Sequence, residues 1–255
     1  MGSASATLGE NMQDKTKPGR STLERKIPGP NSAGIRDFDI NNFDTWVFDL
    51  DGTLYSEDSG ILEQLRDRMV GYVVQHFGLP EETALSHLRD LLHKHGSSLL
   101  ALKTLGDFEP ADYVAHVCNV EVGHLPYNSA LDEALEALPG RKVIFTNANT
   151  GHAERVLAQL RLTRHFDGIY DVTAGGYMPK PQPQTYDRFL ALHDIDPRRA
   201  IFFEDTEINL KPAMERGMTS VWITTPGHRH EARQEQADFV HHRAYDLAAW
   251  LRARL

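Results

Sequence analysis

Two aspartates one residue apart, Asp49 and Asp51, close the short apolar run Trp46-Val47-Phe48, and Gly52 follows at once. A strand repeats every two residues, so both carboxylates leave on one side and Leu50 on the other. Carboxylates that close repel one another unless a proton or a cation lies between them. Two further runs end in polar groups: Val143-Ile144-Phe145 in Thr146-Asn147, and Ile201-Phe202-Phe203 in Glu204-Asp205. The carboxyl ends of parallel strands share an edge of the sheet, so these groups can converge. Adding Asp205 to Asp49 and Asp51 gives an oxygen-only donor set, which suits Mg²⁺ rather than zinc or copper. Gly52 permits a sharp turn that would aim backbone amides at an anion. A single aspartate of this kind is ordinarily a cap or a turn residue. Polar endings on three strands need a stronger explanation.

The elements that must position these groups follow from the apolar pattern. With Ser220-Val221-Trp222-Ile223-Thr224 there are four runs too short and too evenly apolar for amphipathic helices, as expected of strands buried on both faces. Helical spacing separates them at 128–138, 151–161, 182–193, 207–216 and 244–254, and 238–241 is expected to add an edge strand. Alternation of this kind predicts an α/β fold, a doubly wound parallel sheet with right-handed crossovers. One connection is far too long: residues 56–145 separate the first strand from Thr146, where about a dozen residues would do. Helical patterns at 60–77, 81–94, 97–105 and 110–119 fill most of it. The organisation expected is a core of 41–55 and 127–255, with an α-helical lid of 56–126 hinged at 55–59 and 125–128 over the strand ends.

Composition bounds the function. The chain has 255 residues, 27 basic and 36 acidic, for a net charge of -9. Residues 1–40 hold six basic and five acidic side chains and little apolar surface, so they are expected to form a disordered extension. The remainder then carries about ten net negative charges, which disfavours a nucleic-acid surface. No apolar run is long enough to span a membrane. One cysteine, Cys118, excludes an intramolecular disulfide and a cysteine-rich zinc module, and a cytoplasmic location is expected.

These residues carry a resemblance. Phe48-Asp49-Leu50-Asp51-Gly52-Thr53-Leu54-Tyr55 resembles the DxDGT motif of the haloacid dehalogenase (HAD) superfamily. Phe145-Thr146-Asn147 is similar to its second motif, Lys180 in Met178-Pro179-Lys180-Pro181 to its third, and Phe203-Glu204-Asp205-Thr206 with Asn209 to its acidic fourth. The match runs from about residue 44 to 225 with the order intact, and the helical insertion falls where the family carries its C1 cap. The fold implied is the Rossmann-like HAD core.

The resemblance implies a phosphate monoester hydrolase in which Asp49 attacks phosphorus and Asp51 is acid and then base. Thr146 and Asn147 bind the phosphoryl group, and Lys180 balances its charge. Mg²⁺ is held by Asp49, Asp51 (through its backbone carbonyl) and Asp205, with Glu204 and Asn209 as outer-shell partners. Asp51 argues against dehalogenating relatives, which lack it. The cap size and the run Phe-Glu-Asp-Thr-Glu-Ile-Asn-Leu-Lys resemble the pyrimidine 5′-nucleotidase group, which implies a nucleoside 5′-monophosphate as the small phosphorylated partner. The alternatives are another small-metabolite phosphatase (on sugar phosphates or phosphoglycolate), a phosphomutase, or a non-catalytic HAD-like binding protein.

Overall fold

The structure is a computed structural model that describes residues 38–224 and 237–255. Six strands form one wholly parallel sheet: β1 (Thr45–Phe48), β2 (Arg141–Phe145), β3 (Gly168–Tyr170), β4 (Ala200–Glu204), β5 (Thr219–Ile223) and β6 (His242–Ala244). Their order is β3-β2-β1-β4-β5-β6. The direction of winding reverses around β1, so β1 and its neighbours meet at the switch point where such sheets bind ligands. Thr45 pairs with both Arg141 and Ala200, and Phe48 with both Ile144 and Phe203, so three carboxyl ends lie level.

Both faces of the sheet are covered. Trp46, Phe48, Ile144, Ile201 and Phe203 pack into one apolar cluster, and Val47, Val143, Phe145 and Phe202 into another. Alternate residues of one strand thus feed opposite cores, which is why these strands read as unbroken apolar runs. Helices α5 (Ser129–Ala137), α6 (Thr150–Leu160) and α9 (Leu247–Arg252) cover the first face through Leu135, Val156 and Leu251. Helices α7 (Pro183–Leu192) and α8 (Glu207–Glu215) cover the second through Phe189 and Leu210.

Between β1 and α5 run α1 (Ile61–Phe77), α2 (Glu81–His95), α3 (Ser98–Leu102) and α4 (Pro110–Val117). Gly78 and Gly96 end α1 and α2 in the left-handed conformation, which a residue without Cβ adopts at least cost. Among the described residues no helix is long and apolar enough to cross a membrane.

Three expectations need correction. β3 was not foreseen: Gly-Ile-Tyr is too short to show a period. The edge strand lies at His242–Ala244 rather than 238–241, because Asp238 and Phe239 form the turn leading into it. Residues 1–37 lie outside the described residues, so the disordered extension expected over 1–40 is open to comparison only at its end. There Phe38 stacks on Phe43 and meets the edge of Trp250, and Ile40 packs against the same core.

Candidate active site

The site is built at the ends of β1, β2 and β4. Asp49 continues the ladder beyond Phe48 by donating its N–H to Phe203 O at 2.9 Å. The chain then turns, with Leu54 N–H donating to Leu50 O and Gly52 at φ +83°. A Cβ on Gly52 would fall 2.5 Å from Asp205 Oδ2, so glycine lets this turn press against the Asp205 carboxylate. Asp205 is anchored from β5: Trp222 Nε1 donates to its backbone carbonyl at 2.8 Å.

Asp49, Glu204 and Asp205 each turn a carboxylate oxygen into one cluster, all three within 4.8 Å of one another. Lys180, 1% exposed, supplies the facing charge. Its Nζ donates to Asp49 Oδ1 at 2.6 Å, to Glu204 Oε2 at 2.6 Å and to Phe145 O at 2.8 Å. The ammonium also lies 5.2 and 5.3 Å from the ring centres of Phe145 and Phe202. Burial opposes the charged ammonium, but the two carboxylates outweigh it and hold the lysine protonated.

Three carboxylates against one ammonium leave excess negative charge. Burial, and then the Glu204 carboxylate, push Asp49 up to about 7, although Lys180 pulls the other way. Asp205 is driven upward by burial and by Glu204 and Asp49, and because it is half-buried, the solvent reaching it moderates that shift. A hard divalent cation fits this donor set, since oxygen ligands in excess are what such ions take and the added charge would offset the repulsion. Asn209 Oδ1, in the first turn of α8, is buried with no partner and is a further oxygen for it or its water.

The other expected residues take more particular places. Thr146, 2% exposed, accepts Ala148 N–H at 3.0 Å on its Oγ1, which keeps its hydroxyl hydrogen for a ligand. The Asn147 side chain clamps the Lys180 backbone, accepting its N–H at 2.7 Å and donating to its carbonyl at 3.1 Å. What Asn147 can offer an anion is therefore its backbone N–H. Glu204, expected as an outer partner, pairs with Lys180 and accepts Thr206 N–H at 3.0 Å.

The Asp51 carboxylate stands outside the cluster of Asp49, Glu204 and Asp205, so it is not the third carboxylate expected there. Its Oδ1 takes the Tyr55 hydroxyl and lies 2.7 Å from His152 Nε2. His152 is fully buried on α6, and the single-atom focus of both contacts fixes the carboxyl rotamer. Neither contact is anticipated by the sequence pattern: Tyr55 falls in the expected hinge at 55–59 and His152 within the expected helix at 151–161. The i, i+4 spacing of Asp51 and Tyr55 was a usable signal. The His152 contact spans 101 residues and leaves no local trace.

A parallel sheet with its order reversing at an acidic strand end, and a buried lysine facing it, defines a Rossmann-like α/β protein with the site at its switch point. The chain belongs to the haloacid dehalogenase-like hydrolase family, whose model matches residues 43–214.

Among curated proteins, Enolase-phosphatase E1 of Frankia alni is 36% identical over 69 residues, 27% of this chain and 28% of its own length. That of Marinobacter nauticus is 26% identical over 147 residues, covering 58% of this chain and 56% of its own. Bifunctional epoxide hydrolase 2 of Mus musculus is 36% identical over 69 residues, 26% of this chain and 12% of its own length. The chain therefore matches about half or less of the length of these relatives.

Many solved structures share the fold, and two serve as examples. A HAD phosphatase from Thermococcus onnurineus has 19% identity and a TM-score of 0.55, over 83% of this chain and 97% of that one. L-2-haloacid dehalogenase from Xanthobacter autotrophicus has 17% identity and a TM-score of 0.51, over 82% and 97%.

Proposed function

We propose that this protein hydrolyses phosphate monoesters of small metabolites with Mg²⁺, through an aspartyl-phosphate on Asp49, and that its substrate is a pyrimidine nucleoside 5′-monophosphate. The observation that carries the ester-hydrolysis reading is Asp51, a carboxyl group held at the strand end by Tyr55 and His152. A departing halide needs no proton, whereas a departing alkoxide does. Asp51 supplies what ester cleavage requires and dehalogenation does not. The enolase-phosphatase relatives support the same reading.

In the first step the Asp49 carboxylate attacks phosphorus, the bond to the leaving oxygen breaks, and Asp51 gives that oxygen a proton. In the second, Asp51 takes a proton from the attacking water, and phosphate leaves Asp49 free again. Lys180 offsets the repulsion between Asp49 and a phosphate dianion, while the Thr146 hydroxyl and the Asn147 backbone N–H donate to phosphoryl oxygens. Asp49, Asp205 and the Asp51 carbonyl would hold Mg²⁺, with Asn209 behind them. When bound, the ion supplies charge neutralisation at the transferring group. Helices α1–α4 act as the cap of residues 56–126 over a core of 41–55 and 127–255. A single buried thiol suits the reducing cytoplasm.

The test is phosphate release from a panel of monoesters with Mg²⁺. UMP and CMP should lead it, and Asp49→Asn should abolish turnover while leaving the fold intact. Sugar phosphates or phosphoglycolate outrunning UMP and CMP would overturn the nucleotide assignment. A working Asp49→Asn variant would overturn the nucleophile.

A further inference from the structure

A cavity of about 200 Å³ opens beside Asp51, between the strand-end loops and helices α1–α4. Leu65, Met69, Leu92, Leu99 and Val114 form its helical wall, and Pro179 is on the core side next to the lysine loop. The wall is mostly apolar, with Ser97, Ser98 and Asn147 adding polar groups, and among the described residues Asp51 is its one charged side chain. Tyr113 enters from α4. It is 2% exposed, and its hydroxyl is buried without a hydrogen-bond partner. The Ser98 side chain approaches it as a hydrogen-bond partner but falls short of good hydrogen-bond geometry, so the hydroxyl keeps its donor for a ligand.

Each feature restricts the alcohol half of an ester whose phosphate sits on Asp49. Apolar walls favour apolar faces and penalise a full ring of hydroxyls, most of which would lose their water without a partner. A second anionic group on the substrate would be desolvated against this wall with no cationic side chain among the described lining residues to meet it. An apolar cavity of about 150 Å³ holds one benzene ring, so this one holds one ring with a short arm. A buried hydroxyl without a partner is costly, and a ligand atom that accepts from it recovers that cost.

We infer that the cavity receives one uncharged ring of the alcohol portion, carrying a hydrogen-bond acceptor for the Tyr113 hydroxyl. This rests on the phosphatase reading and narrows its substrate class. Among nucleoside monophosphates, those with one-ring bases come nearest to it, and two-ring bases overrun it.

The experiment compares kcat/KM with Mg²⁺ for acetyl phosphate, benzyl phosphate, 3- and 4-pyridylmethyl phosphate, glucose 6-phosphate, phosphoglycolate, UMP and GMP. Acetyl phosphate has no ring to seat and reports phosphoryl transfer alone. Its failure to turn over would sink the phosphatase reading and this inference with it. With acetyl phosphate active, benzyl phosphate should exceed glucose 6-phosphate and phosphoglycolate at least tenfold, and UMP should exceed GMP by a similar factor. At least one pyridylmethyl ester should exceed its benzyl isostere by about fivefold, the worth of one neutral hydrogen bond. Tyr113→Phe should erase that last ratio. Equal or better turnover of the polyol or the dianion would overturn the inference, as would a pyridyl-to-benzyl ratio unchanged in Tyr113→Phe.

Discussion

Lys180 makes a quantitative claim about how this site holds together. Its ammonium serves two carboxylates at 2.6 Å each and is 1% exposed, so Lys180→Met leaves Asp49 and Glu204 facing each other without their cation. Removing one partner of a buried pair costs about 3–5 kcal/mol. Two stranded charges would exceed that, but a proton limits the loss. Asp49 is already pushed up to about 7 with the lysine present, and without it would be protonated at neutral pH. A loss near the top of the range, about 5 kcal/mol, follows, or a drop in Tm of roughly 10–20 °C.

Glu204→Gln in the same background removes the other stranded charge and should restore about 2 kcal/mol, although alone it is destabilising. Thermal unfolding of the four proteins in EDTA at pH 7.5 closes this cycle. If the double variant shows simply the sum of the two single losses, Lys180 is not neutralising Glu204 and the charge argument fails.

Other outcomes follow from the same geometry. Asp49 holds a proton in the folded state between its ordinary value of 3.8 and about 7, so without divalent ions stability should fall as pH rises through 7. Mg²⁺ should displace that proton and therefore raise Tm more at pH 8 than at pH 6; an equal shift at both would remove Asp49 from the ligand set. Asn147→Ala breaks both clamps on the Lys180 backbone, and kcat should drop tenfold or more while stability falls by about 1–3 kcal/mol. A wild-type kcat would show that Lys180 needs no such support. Burial pushes the Cys118 thiol up to about 11, so iodoacetamide at pH 7.5 should leave the folded protein unlabelled and modify it only after denaturation.

The sequence disclosed most of the frame because β1, β2, β4 and β5 are buried on both faces and cannot hide their composition. β3 escaped, since three residues beginning with Gly168 carry no period, and β6 was displaced because Phe239 and Val240 supply apolar residues ahead of the strand itself. At the site, the carboxylates were legible as strand endings. Lys180 was legible only through its place in the motif order: by itself a lysine between prolines reads as a surface residue until the fold buries it against Phe145 and Phe202. The contact of His152 with Asp51 is tertiary, and nothing in the spacing of His152 distinguishes an ordinary helix-face residue from one that meets a strand end.

The indole of Trp222 has a practical value beyond its place in β5. Because its N–H ends on the carbonyl of Asp205, one of the three tryptophans is wired to the acidic cluster. A cation filling that cluster would alter the field at a natural fluorophore. Ion occupancy would then be readable by emission titration without any attached dye.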